Sequence, residues 1–108
     1  MPFTDWNTEG PQSNPLNNVL LADTGPADDN NQHRLTAFVS TSIAARVDLE
    51  LRDSTNTITL KSLPIFVLAG TSQSIPLTNE FFVNVNERIR LVLIGAIIGT
   101  ISGSLFVQ

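Results

Sequence analysis

An all-β fold is what this sequence predicts: a small antiparallel β-sandwich, jelly-roll-like, or a barrel, of about seven or eight strands. Three observations predict it. Val, Ile, Leu and Phe supply most of the 42% hydrophobic fraction, with Thr and Ser between them and no Tyr. Branched and aromatic side chains of this kind fit a pleated, half-buried surface. Apolar residues recur with a period of two in segment after segment, and turn residues break the chain at short intervals with no amphipathic helix pattern between them.

The elements follow in order. Residues 1–18 hold three prolines, one glycine and four asparagines and show no hydrophobic period. They read as an extended N-terminal arm, kept out of regular ladders by its prolines, that either docks on something else or folds back on its own domain, ahead of a single domain at 19–108. Val19–Asp23 is a short apolar strand ended by the turn-rich stretch Thr24–Asn31. Arg34–Ser42 alternates, with Leu35, Ala37, Val39 and Thr41 on one face and Phe38 on the other. Ala45–Arg52 alternates strictly: Ala45, Val47, Leu49 and Leu51 face the core, and Arg46, Asp48, Glu50 and Arg52 face out, because a slip of one residue buries four charges. Asp53–Asn56 is turn chemistry, and Thr57–Ser62 returns as the second arm of a hairpin with Ile58 and Leu60 inward. Pro64–Ala69 is apolar on both faces, as a strand covered on each side is, with its proline at a strand start or an edge. Gly70 turns the chain, Asn84–Asn86 is a loop, and Glu87–Ile94 alternates again.

Leu91–Gln108 carries no charge, and Gly95, Gly99 and Gly103 stand four apart. That is the small-residue spacing of packed membrane helices, so a membrane anchor through residues 91–107 is one reading. The stretch is 17 residues, short of the roughly 20 that span a bilayer, and it continues the alternation entering from Arg88. Two strands joined near Gly95–Ala96 are therefore expected, with no membrane contact.

The chemistry-bearing residues are few. There is no cysteine, hence no disulfide, thiolate site or Cys nucleophile. His33 is the one histidine, set beside a polar loop; no G-x-S-x-G element or glycine-rich phosphate loop occurs. His33 is expected as a solvated strand-start residue. Asp23, Asp28 and Asp29 lack calcium-loop spacing. No enzyme, cofactor or metal is expected. The net charge of −4, with every Lys and Arg from Arg34 onward, argues against nucleic acid. The start, Met-Pro-Phe-Thr-Asp-Trp, shows no signal peptide.

Large apolar residues in polar or charge-free surroundings mark the expected partner-binding positions: Phe3, Trp6 and Leu16 in the arm, and Ile97, Ile98 and Ile101 in the C-terminal segment. Ile94–Val107 are either the core of one chain or, as preferred, are buried between copies in a homo-oligomer.

Val19–Leu21, the hairpin Ile43–Ser62 and the Asn86–Val92 stretch, behind a polar arm, give a layout that resembles small virion proteins of tailed bacteriophages, especially capsid decoration (cement) proteins. The resemblance implies a compact β-domain, a trimer by preference, that binds the major capsid protein or another virion protein and stabilises the shell at the capsid surface. A carbohydrate- or receptor-binding β-module, a tail or fibre component, is the alternative that aromatic residues clustered at one end of the sandwich would favour.

Overall fold

The computed structural model describes residues 6–7, 11–70, 72–76 and 81–108, the backbone alone at 6–7 and 72–76. Eleven strands are found there and no helix. They are β1 (Trp6–Asn7), β2 (Gln12–Ser13), β3 (Val19–Asp23), β4 (Asn31–His33), β5 (Leu35–Thr41), β6 (Ala45–Arg52), β7 (Thr59–Val67), β8 (Ser72–Pro76), β9 (Phe81–Val83), β10 (Arg88–Ile94) and β11 (Thr100–Val107). All pairings are antiparallel.

Two sheets make a sandwich. One runs β1-β11-β5-β8, with β2 beside β1 on the same edge of β11; the other runs β3-β10-β6-β7; β4 and β9 form a separate two-stranded ribbon. The excess over seven or eight strands consists of two- and three-residue pieces, too short to show a period in the sequence.

The inward-facing positions of both sheets fill one core: Leu35, Val39, Leu105 and Ile101 from the first sheet, Leu21, Val47, Leu49 and Leu91 from the second. Each such side chain contributes about 1.5–3 kcal/mol relative to exposure. The alternation in β6 holds as expected: Val47, Leu49 and Leu51 are buried and Ala45 packs against the core, while the charged residues occupy the outer face. Gly103 sets the spacing between the sheets. A β-carbon there would lie 2.9 Å from Leu91 Cδ2 and 3.1 Å from Leu21 Cβ, so only glycine lets β11 approach β3 and β10 so closely.

Residues 91–107 enter β10 and β11, joined by a loop at 95–99. The helical anchor considered for this segment is corrected, and no helix among the described residues is long and apolar enough to cross a membrane. Gly95 turns the loop at φ +86°, a conformation costly for any residue with a β-carbon.

The arm reads differently from its sequence. Trp6 lies opposite Phe106, and Gln12 opposite Ile101, so both short strands extend the edge of β11 despite the nearby prolines. Asn14 donates its backbone N–H to the Gly99 carbonyl at 2.8 Å and accepts the Gly99 N–H on its side chain at 2.8 Å. Asn18 accepts the Gly95 N–H at 2.6 Å, and Ile97 donates to the Pro15 carbonyl. Residues 11–18 are thus strapped to the β10–β11 loop of their own chain. The expectation of an arm without ladder bonds is corrected here, because polar side chains and free backbone groups supply the pairing between the prolines.

Candidate functional site

The strip that draws attention is the free edge of the second sheet. Among the described residues β7 pairs only with β6. Along it and the turn before it, Ile58, Leu60, Leu63 and Phe66 are exposed, Phe66 at 73%. A long apolar edge strand offers both side chains and unpaired backbone groups to another chain, and folds normally blunt such edges. Here the blunting is slight. Pro64 interrupts the row of donors, and Lys61 leans its ammonium over the Phe81 ring, 5.0 Å from the centroid.

This corrects two expectations at once. Thr57–Ser62 and Pro64–Ala69 are largely one strand, Thr59–Val67, and neither Ile58 nor Leu60 points inward. The cause is local. The register between β6 and β7 shifts at Leu51/Arg52, and the turn is bound to the Asp53 carboxylate. That carboxylate accepts the backbone N–H of Thr57 at 2.8 Å and of Ile58 at 3.2 Å, and the Thr55 and Thr57 hydroxyls at 3.0 and 3.3 Å. These bonds, the Thr57 backbone N–H foremost, hold its pKa below the usual 3.8. Phe66 faces out because it stands opposite Arg46 on the outer face of the sheet, between the inward Ile65 and Val67.

The outer face of the second sheet is polar and self-paired. Arg90 donates to Glu50 at 2.7 Å, Arg88 to Asp23 at 3.1 Å and Arg46 to Asp48 at 3.0 Å. Ser62 adds a bond to Asp48. These carboxylates are largely shielded from solvent and each is satisfied by an arginine partner.

The outer face of the first sheet is uncharged. Ser102 stands opposite Ser40, Ser104 opposite Phe38, and Phe106 opposite Thr36. At the serine end a cavity of about 270 Å³ opens, lined by the hydroxyl residues Ser40, Thr41, Ser42, Thr100 and Ser102. Pro11, Gly70 and Ile101 complete its lining. The Thr41 hydroxyl is committed to the Ile43 carbonyl at 2.6 Å and the Ser42 hydroxyl to the Thr100 N–H at 2.8 Å.

The expected partner-binding residues are scattered by the fold. Leu16 (83% exposed) and Ile98 (87%) lie on the surface, Leu16 in the strap and Ile98 in the loop it binds. Ile97 packs partly against the core. Ile101 is corrected: it faces inward from β11 and is 1% exposed, so within one chain it is core, as are Leu105 and Val107. Trp6 is placed by its backbone only, and Phe3 lies outside the described residues.

His33 is also corrected. It is buried at 5% exposure, with Nδ1 2.9 Å from the Gln108 backbone carbonyl oxygen, so its ring ties β4 to the end of β11. No group of three His, Asp or Glu side chains among the described residues comes together to hold a metal.

No family model matches the chain, and no curated protein sequence matches it. Among solved structures it is similar to one titled "BiXyn10A CBM1 APO", a xylanase carbohydrate-binding module, at a TM-score of 0.55 and 13% identity. The match covers 84% of this chain and 61% of that one, so the chain spans less than two thirds of its neighbour's length. What is shared is the β-sandwich.

Proposed function

We propose that this chain is a non-catalytic structural protein that works by protein–protein contact, as a homo-oligomeric capsid decoration protein or another virion component. One observation carries the reading. Ile58, Leu60, Leu63 and Phe66 expose apolar surface along β7 and the turn before it, at a sheet edge with no further strand among the described residues, and exposed apolar surface of this kind marks partner sites. Leu16, Phe82, Val85 and Ile98 are exposed elsewhere, whereas the outer face of the second sheet is ion-paired and that of the first is uncharged and hydroxyl-bearing.

Native mass spectrometry tests it. The wild-type chain is expected as a closed oligomer, a trimer by preference, and the double variant Leu60→Lys/Phe66→Lys as a folded monomer with unaltered far-ultraviolet circular dichroism. A wild-type chain that stays monomeric up to high micromolar concentration overturns the assembly. A second reading, a carbohydrate-binding β-module, is supported by the uncharged, hydroxyl-lined cavity and by the sandwich shared with the xylanase module.

A further inference from the structure

We infer that the outer face of the first sheet holds one ring of an uncharged glycan in the cavity between Ser40 and Ser102, with the rest of the ligand running toward Phe38 and Phe106. This inference rests on the carbohydrate reading and is independent of assembly through β7.

Size narrows the ligand first. The cavity of about 270 Å³ lies just under the roughly 300–1,000 Å³ of sites that enclose a drug-sized molecule. A space of this size suits a single sugar ring.

Chemistry narrows it further. Among the described residues no charged side chain lines the cavity, so a phosphate or carboxylate entering it would lose hydration without gaining an ionic partner from them. The lining instead offers hydroxyls, each of which can donate and accept. With Thr41 and Ser42 bonded to the backbone, the hydroxyls of Ser40, Thr100 and Ser102 make no side-chain bond to another described residue and belong to lining residues of the cavity. A ligand rich in hydroxyls can both give and take protons at these three.

The face beyond supplies the apolar half of the match. The ladder places Ser104 opposite Phe38 next along from the Ser102–Ser40 pair, and Phe106 opposite Thr36 after that. Same-face neighbours along a strand are about 6.6–6.8 Å apart, so hydroxyls give way to partly exposed aromatic rings within two steps. Sugar rings present C–H faces that pack on aromatic surface by dispersion and exclusion of water.

The test is a titration of isotopically labelled full-length protein with xylohexaose, cellohexaose and mannohexaose, and with oligogalacturonate as the charged contrast. At least one neutral hexasaccharide is expected to shift the amide signals of Ser40, Thr100 and Ser102. Ser102→Tyr, which fills the cavity, is expected to weaken binding at least about tenfold, and Phe38→Ala by a smaller factor. If no oligosaccharide binds, the carbohydrate reading falls and this inference with it. If a glycan binds but shifts amides elsewhere, or binds Ser102→Tyr equally well, the carbohydrate reading survives and the site assigned here is wrong. Preference for oligogalacturonate overturns the uncharged ligand. The amide shifts of the wild-type chain decide the location even where Ser102→Tyr fails to fold.

Discussion

β7 and β11 are two apolar strands of nearly equal length with opposite fates. β11, Thr100–Val107, alternates core residues (Ile101, Leu105 and Val107) with polar or aromatic ones and sits inside its sheet, flanked by β5 and by the short strands β1 and β2. β7, Thr59–Val67, buries only Ile65 and Val67 and leaves Leu60, Leu63 and Phe66 to the solvent at the edge of the other sheet. Hydropathy does not separate them. What separates them is the number of neighbours the topology gives each strand. The charge-free C-terminal segment, which looks like spare surface in the sequence, is core; the segment that looks covered on both faces is the open edge.

Ile101→Ala tests the β11 half of this contrast with the largest effect, a loss of about 2–5 kcal/mol in denaturant melts. A loss under about 0.5 kcal/mol would return Ile101 to the surface and erase the difference. Gly103→Ala comes next, at about 1–3 kcal/mol, because its methyl group meets Leu91 and Leu21 across the sandwich. Unchanged stability there would mean the sheets yield more readily than the close approach of β11 allows. On β7, Phe66→Ser is expected to alter monomer stability by no more than about 0.5 kcal/mol, since the ring is exposed. A cost above about 2 kcal/mol would place Phe66 in a core.

The smallest effect is the pH response of the turn that feeds β7. The Asp53 carboxyl is held below 3.8 in the folded chain by its four donors. Its contribution is therefore complete above the usual carboxylate pKa and is lost as pH falls through the lowered folded value. Asp53→Asn should flatten the acid limb of the melting temperature slightly and leave neutral behaviour near its starting point. An acid limb identical to wild type would show that the turn does not depend on the charge.

The contrast also explains how far the sequence could be read. Strict alternation placed β6, β5 and β10 and their inward residues, because burying Arg46, Asp48, Glu50 and Arg52 together is prohibitive. β3 was legible from the four-residue apolar run Val19–Ala22 between polar stretches. The strap was not, since its bonds pair Asn14 and Asn18 with glycines 85 and 77 positions away. His33 was misread because its partner is the backbone of Gln108, far along the chain. For the candidate surfaces, the edge position of β7 had a readable signal, Pro64 within an apolar run. The hydroxyl cavity had none: Ser40 and Ser102 are unremarkable serines until the ladder sets them side by side.

The strap carries a consequence for the order in which the molecule assembles. The β6–β7 hairpin closes through neighbours such as Arg52 and Thr59, whereas Asn14 must find Gly99 across a separation of 85 residues. By chain-closure entropy alone the second event costs about 2 kcal/mol more than the first, and its reward is a few polar bonds at an exposed loop. It therefore closes last and opens first. The amides of Gly95 and Gly99 should exchange with solvent deuterium well ahead of those of Leu49 and Leu91, and the edge of β11 is then briefly a vacant docking rail within an otherwise intact sandwich.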